Sequence, residues 1–234
     1  MIISHRHKFI FLKTKKTGGT SIEIALSRLC GPEDVITRIS PADEKLRQEL
    51  GYPGPQNTAL PAWSLGLGAR AVAALRGKTL EYYNHAPAEF VRRHVDPAVW
   101  NGYFKFSFER DPYDKAISRY YWSNRGTAAL LPLSEYLERE REMQLSNWSI
   151  YAIGERVVAD FIGRYEHLAE DLGTALLRVG ITEEVALPRT KAGTRQDRRH
   201  YSQLLDARAR ARIELVCARE LAALGYRWQE TAPA

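Results

Sequence analysis

The chain has 234 residues, 44% of them hydrophobic and 26% charged, with a formal net charge of +6. That length accommodates one α/β domain with a core of its own, and the charge points to an anionic partner without choosing between nucleotide, nucleic acid and acidic glycan. No stretch approaches the ~20 apolar residues of a membrane helix; the apolar run after His5-Arg6-His7-Lys8 is too short for a signal segment, so a cytoplasmic chain without stable membrane insertion is expected.

Residues 8–14 are predicted as the first strand and 20–29 as the first helix. From 31 to 63 the pattern dissolves under Pro32, Pro41, Pro53, Pro55 and Pro61, so about 31–80 reads as a less regular insertion, with short helices at 43–50 and 67–76. Residues 87–94 read as a helix with Pro87 near its first turn, and Asp96-Pro97 is a second cap-and-start pair. Tyr103 to Phe108 reads as a strand, and Asp111-Pro112 opens the next helix. Helical stretches near 133–145 and 166–179 flank a strand at 160–165. Residues 189–203 are strongly basic, and a last helix at 206–223 is closed by Gly225. Strands alternating with helices predict an α/β fold over 1–234 as one domain, a central parallel sheet with helices on both faces. The two cysteines, Cys30 and Cys217, read as buried thiols, and no His/Cys/Asp cluster has metal-ligand spacing.

The segment Lys13-Thr14-Lys15-Lys16-Thr17-Gly18-Gly19-Thr20-Ser21 joins the first strand to the first helix. A loop in that place aims backbone N–H groups and a helix N-terminus at an anion. The glycines allow close approach of the main chain, the lysines bring charge, and Thr17, Thr20 and Ser21 bring hydroxyls. The nucleotide loop G-x-x-x-x-G-K-[ST] needs Lys after its last glycine; here Lys precedes the glycines. The same residues also suit a plain surface turn opening a helix.

A second anion anchor lies at Glu109-Arg110-Asp111-Pro112, where a strand ends in an arginine and the next helix begins. Ser118 shares a face of that helix with Asp111 and Asp114. Arg110 offers a planar fork and Ser118 a single donor for one phosphate. Taken alone, this is a capping turn with a surface arginine. In parallel sheets ligands sit at the carboxyl ends of strands, which places the Lys16 loop and Arg110 on one edge.

Ile10 to Ser21 resembles the 5′-phosphosulfate loop of the sulfotransferases that use 3′-phosphoadenylyl sulfate (PAPS), and Tyr103 to Tyr121 resembles their 3′-phosphate motif. The nearest likeness is to the carbohydrate branch, with the heparan and chondroitin/dermatan enzymes and many bacterial relatives. Phe161 to Leu168 and Leu224 to Trp228 are also similar to segments of that branch. The resemblance implies a P-loop-like three-layer fold. It implies transfer of sulfonate from PAPS to a hydroxyl or amine of a glycan or glycolipid acceptor, releasing 3′,5′-ADP (PAP) without a metal. It assigns catalysis to Lys16 and the 5′-phosphate to Lys16, Thr17, Gly18, Gly19, Thr20 and Ser21. Arg110 and Ser118 take the 3′-phosphate, and Lys191 and Arg195 belong to a basic loop over the nucleotide. Glu109 departs from the usual apolar residue and Asp111 from the usual Asn. Glu109 is expected to neutralise Arg110 in part, with Lys13 and Lys15 offsetting it.

The acceptor must lose a proton, which suits a histidine. Among His5, His7, His85, His94, His167 and His200, the choice is His85, in a segment resembling the one that carries the family's base. His94 is second; His5 and His7 are expected in a frayed terminus, and His167 looks structural. Three other readings compete. A nucleotide kinase or NTPase would require magnesium ligands. A nucleic-acid-binding module would use the 189–212 basic stretch. A non-catalytic PAP-binding protein would keep both anchors. Oligomeric state and acceptor identity are not encoded in these motifs.

Overall fold

A computed structural model describes residues 1–127, 129–188, 195 and 197–230. The chain divides into two compact units: Met1–Thr14, Gly18–Phe108 and Ser149–Thr190 form one, and Lys15–Thr17, Glu109–Trp148 and Lys191–Ala234 the other.

In chain order the elements begin with β1 (Ile2–Ser4), β2 (Phe9–Phe11), α1 (Gly19–Ser27), β3 (Val35–Ile36), α2 (Pro41–Glu49) and α3 (Leu67–Leu75). Next come α4 (Ala88–His94), α5 (Pro97–Gly102), β4 (Phe104–Glu109) and α6 (Pro112–Ser123), then α7 (Leu133–Arg139), α8 (Glu142–Leu145) and α9 (Trp148–Tyr151). The series closes with β5 (Ala152–Ile153), β6 (Arg156–Val157), β7 (Phe161–Arg164), α10 (Leu168–Leu177), α11 (Ala207–Val216) and α12 (Ala218–Leu224).

The first unit is built on a five-stranded sheet in the order β3-β1-β2-β4-β7. The aromatic alternation of β2 and β4 places Phe9, Phe11, Phe106 and Phe108 in one apolar layer with Ile22 and Leu26 of α1 and Leu172 and Leu176 of α10. Ile10 and Leu12, which alternate with them, are equally buried, so both faces of the sheet are covered. β2 and β4 run parallel, with Phe11 opposite Phe106. That is the arrangement anticipated from strand–helix alternation.

The sheet is nevertheless mixed. β1 pairs antiparallel with both β2 and β3. Residues 1–7 are therefore not a frayed terminus. Ile2 and Ile3 are fully buried, and His5 Nδ1 lies 3.0 Å from the Tyr103 hydroxyl. A three-residue strand carries too short an alternation to be read from sequence.

The second unit is helical. Tyr113 and Ile117 of α6, Leu137 of α7, Leu145 of α8 and Ile213 of α11 share a core with Tyr201 and Cys217. The helix anticipated at 133–145 breaks at Glu140, whose backbone is extended and whose carboxylate receives Arg119 Nε at 2.9 Å. The helix anticipated at 206–223 breaks at Cys217 (φ −102°, ψ 21°), and Gly225 ends it in the left-handed conformation. Asp206 caps α11 by accepting from the Ala209 N–H at 2.8 Å.

Candidate functional site

The lysine-rich loop divides its residues between different tasks. In the first unit Lys13 is 1% exposed and its ammonium sits 2.7 Å from Glu23, itself 0% exposed. Arg47 and the Met1 amine also face that carboxylate. Burial alone would raise the Glu23 pKa, but the Lys13 ammonium and the Met1 amine hold it at about 2. Lys13 is therefore held in an internal ion pair with Glu23. Gly18 has φ +72° and sits where α1 begins; a Cβ there would also crowd Leu168 and Tyr165. Gly19, Thr20 and Ser21 form the first turn of α1, with Thr20 half-buried and Ser21 9% exposed.

Lys15, Lys16 and Thr17 belong to the second unit. Lys15 directs its ammonium to the Met143 carbonyl. Burial first, then Arg119 and Lys115, press its pKa below the ordinary lysine value. Thr17 is fully buried. Lys16 has a left-handed backbone, φ +63°, and its Nζ lies 5.3 Å from the centre of the Trp122 ring. Arg119 and Arg125 approach the same indole at 5.2 and 4.8 Å.

Helix α6 orders the second anchor. Asp111 caps it, accepting from the Tyr113 N–H at 2.8 Å, with Pro112 in the first turn. Asp114, Ser118 and Trp122 then follow at four-residue spacing along one face. Arg110 sits at the Asp114 end, its Nε donating to Asp114 Oδ2 at 2.8 Å. Its Nη1 donates to the Lys16 carbonyl at 3.4 Å. Arg195 Nη1 donates to the other oxygen of Asp114. Burial would raise the Asp114 pKa; Arg110 first, and then Arg195, hold it below its ordinary value. Thus Lys16, Arg110, Ser118 and Arg195 all meet on or beside α6. Lys191 lies outside the described residues.

Glu109 is paired with Lys115. Its carboxylate is 0% exposed and accepts from Lys115 Nζ at 3.0 Å, the Arg110 backbone N–H at 2.9 Å and Asn147 Nδ2 at 3.1 Å. Burial opposes charge on Lys115, and the Glu109 carboxylate overrides it, holding the ammonium above its ordinary range. Arg110 pairs with Asp114, and their four-residue spacing was readable as a helical ion pair. No sequence signal marks Asn147.

His85 lies in the first unit, three residues before α4, with φ +60°. Its Nδ1 is 3.1 Å from the Lys13 carbonyl. A carbonyl only accepts, so Nδ1 donates to it and Nε2 is the ring's other nitrogen. Lys16 and His85 are two of the four non-glycine residues at positive φ among the described residues, where strain is retained only if the surroundings enforce it. His94 is different. It is 9% exposed, its Nδ1 lies 2.9 Å from Ser64 Oγ, and burial and Arg93 lower its pKa. Among the described residues, no group of three or more His, Cys, Asp or Glu could hold a metal ion, and no helix is long and apolar enough to cross a membrane.

No family model and no solved structure matches the chain. An uncharacterized protein of Archaeoglobus fulgidus is 32% identical over 109 residues, a match covering 42% of this chain and 86% of that one. The chain belongs to one family with this archaeal protein.

Proposed function

We propose that the protein is a PAPS-dependent sulfotransferase that moves sulfonate to a hydroxyl or amine of an acceptor, a glycan or glycolipid, and releases PAP. The observation that carries this reading is the row along α6. Arg110 stands at its Asp114 end, Lys16 at its Trp122 end and Ser118 between them. Eight residues of helix span about 12 Å. Two cationic groups so spaced, with a hydroxyl between, suit a ligand carrying two separate anionic groups, as PAPS does with its 3′-phosphate and 5′-phosphosulfate.

In the reaction an acceptor oxygen or nitrogen forms a bond to the donor sulfur while the bond from sulfur to the 5′-phosphate oxygen breaks. Negative charge grows on that phosphate oxygen, and the Lys16 ammonium stabilises it more in the transition state than in the ground state. His85 Nε2 takes the acceptor proton. The N–H groups opening α1, with Thr20 and Ser21, hold the 5′-phosphate. Arg110 and Ser118 hold the 3′-phosphate, and the resemblance assigns Arg195 and Lys191 to the nucleotide. The protein is read as cytoplasmic, in keeping with a soluble donor.

The test is incubation with PAPS and a panel of glycans and glycolipids, read by mass spectrometry. Stoichiometric PAP together with an acceptor gaining one SO3 group is expected. Absence of PAP formation with every acceptor, when PAPS binds, would favour a non-catalytic PAP-binding protein.

A further inference from the structure

Asn147 belongs to no motif, yet it is 1% exposed and makes three side-chain hydrogen bonds at the residues beside both anchors. Its Oδ1 accepts from the Lys15 N–H at 3.0 Å, and its Nδ2 donates to the Lys15 carbonyl at 3.1 Å. The same Nδ2 lies 3.1 Å from Glu109 Oε1, which also accepts from the Arg110 N–H. One amide thus pairs with Lys15 as a neighbouring strand would, and continues to the carboxylate that holds the Arg110 backbone. All these atoms lie in the second unit.

The turn carrying Asn147 is itself fixed. Glu220, 0% exposed, accepts from the Ser146 hydroxyl at 2.5 Å and from the Asn147 N–H at 2.9 Å. Lys16, one residue after Lys15, adopts a left-handed backbone that its surroundings must enforce. Among side chains of this size, asparagine alone offers both an acceptor and a donor to one peptide unit. Aspartate lacks the donor, and leucine would leave the buried N–H and C=O of Lys15 unpaired.

We propose that Asn147, backed by the Glu109–Lys115 pair, is the positioning residue of the anion site: it fixes the Lys15–Lys16 backbone relative to Arg110. The ligand named in the test rests on the sulfotransferase reading; the ordering of the loop does not.

Residue-resolved amide exchange by NMR on Asn147→Ala, with calorimetric titration of PAP, tests this. The Lys15 and Lys16 amides should exchange about tenfold faster or more, as loss of one to two hydrogen bonds implies. The Cys217 amide, bonded to the Ile213 carbonyl in the same unit, should keep its protection. PAP affinity should fall by a similar factor. Asn147→Asp, which keeps the shape but sets a second carboxylate against Glu109, should loosen the same amides. Unchanged exchange at Lys15, or equal acceleration at Lys15 and Cys217, would overturn the proposal. If Asn147→Ala does not fold, Asn147→Ser is read by the same criteria. Failure of the wild-type protein to bind PAP would contradict the sulfotransferase reading and leave the exchange result to decide the role of Asn147.

Discussion

Arg110 turns its guanidinium to Asp114, one helical turn ahead, while the adjacent Glu109 accepts from Lys115. Arg195 occupies the second oxygen of the same Asp114. One carboxylate therefore orients two arginines and also cancels part of their charge. Asp114→Asn keeps a carbonyl oxygen for one of these donors and removes the charge. PAP affinity should rise by up to about fivefold, the scale of one partly exposed ion pair. Calorimetry in low and high salt checks this; a loss of affinity would mean that Asp114 acts by positioning alone.

The Lys13–Glu23 pair makes a prediction about stability. Glu23→Gln leaves Lys13 and Arg47 buried without their shared carboxylate, which should cost about 3–5 kcal/mol in urea unfolding. The pH sign follows from the depressed carboxyl. Its folded pKa is about 2, against 4.5 as the ordinary value, so its stabilising contribution is complete above about 4.5 and is lost as pH falls toward 2. Urea midpoints measured across that range should fall for the wild type and flatten in Glu23→Gln.

Gly163 on β7 lies against the ring of Phe108 on the adjacent strand β4. A Cβ at 163 would overlap the ring, which is fully buried and has no solvent to move into. Gly163→Ala should destabilise by about 1–3 kcal/mol, the range of an overpacked core. Gly173→Ala, where a Cβ would meet nothing within 4 Å, is the control and should be neutral or stabilising. Urea midpoints of the two variants decide the matter.

The proposed roles of Lys16 and His85 separate kinetically. Lys16→Ala should abolish turnover with a modest loss of PAP affinity, because its charge acts on the leaving oxygen. His85→Ala should lose about 10² to 10⁴ in turnover, the usual value of a general base, with PAP affinity unchanged. Turnover near wild type in His85→Ala, with single-turnover kinetics confirming rate-limiting chemistry, would remove His85 as the base. His94 is a poor substitute, being buried and hydrogen-bonded to Ser64.

The strands that position the site were legible because Phe9 to Leu12 and Phe104 to Phe108 alternate aromatics over enough residues to declare themselves. The starts of α5, α6 and α11 were legible because Asp96, Asp111 and Asp206 cap them. β1 and β3 were not, since three and two residues hold no period. Nor could spacing show that Lys13, next to two surface-seeking lysines, points inward to Glu23. That pairing is set by tertiary packing, as is the pairing of Glu109 with Lys115. Asn147 was invisible for the same reason: its partners are 132 residues away at Lys15 and 38 at Glu109.

Calorimetric titration of PAP and of adenosine 5′-phosphosulfate, into wild type and Arg110→Ala and with chelator present, tests whether Arg110 faces the 3′-phosphate of a metal-free nucleotide site. PAP carries the 3′-phosphate that the second ligand lacks. The wild type should bind PAP without added metal, and Arg110→Ala should weaken PAP far more than it weakens adenosine 5′-phosphosulfate. Equal losses for the two ligands, or wild-type binding to magnesium–ATP well above binding to PAP, would contradict that assignment.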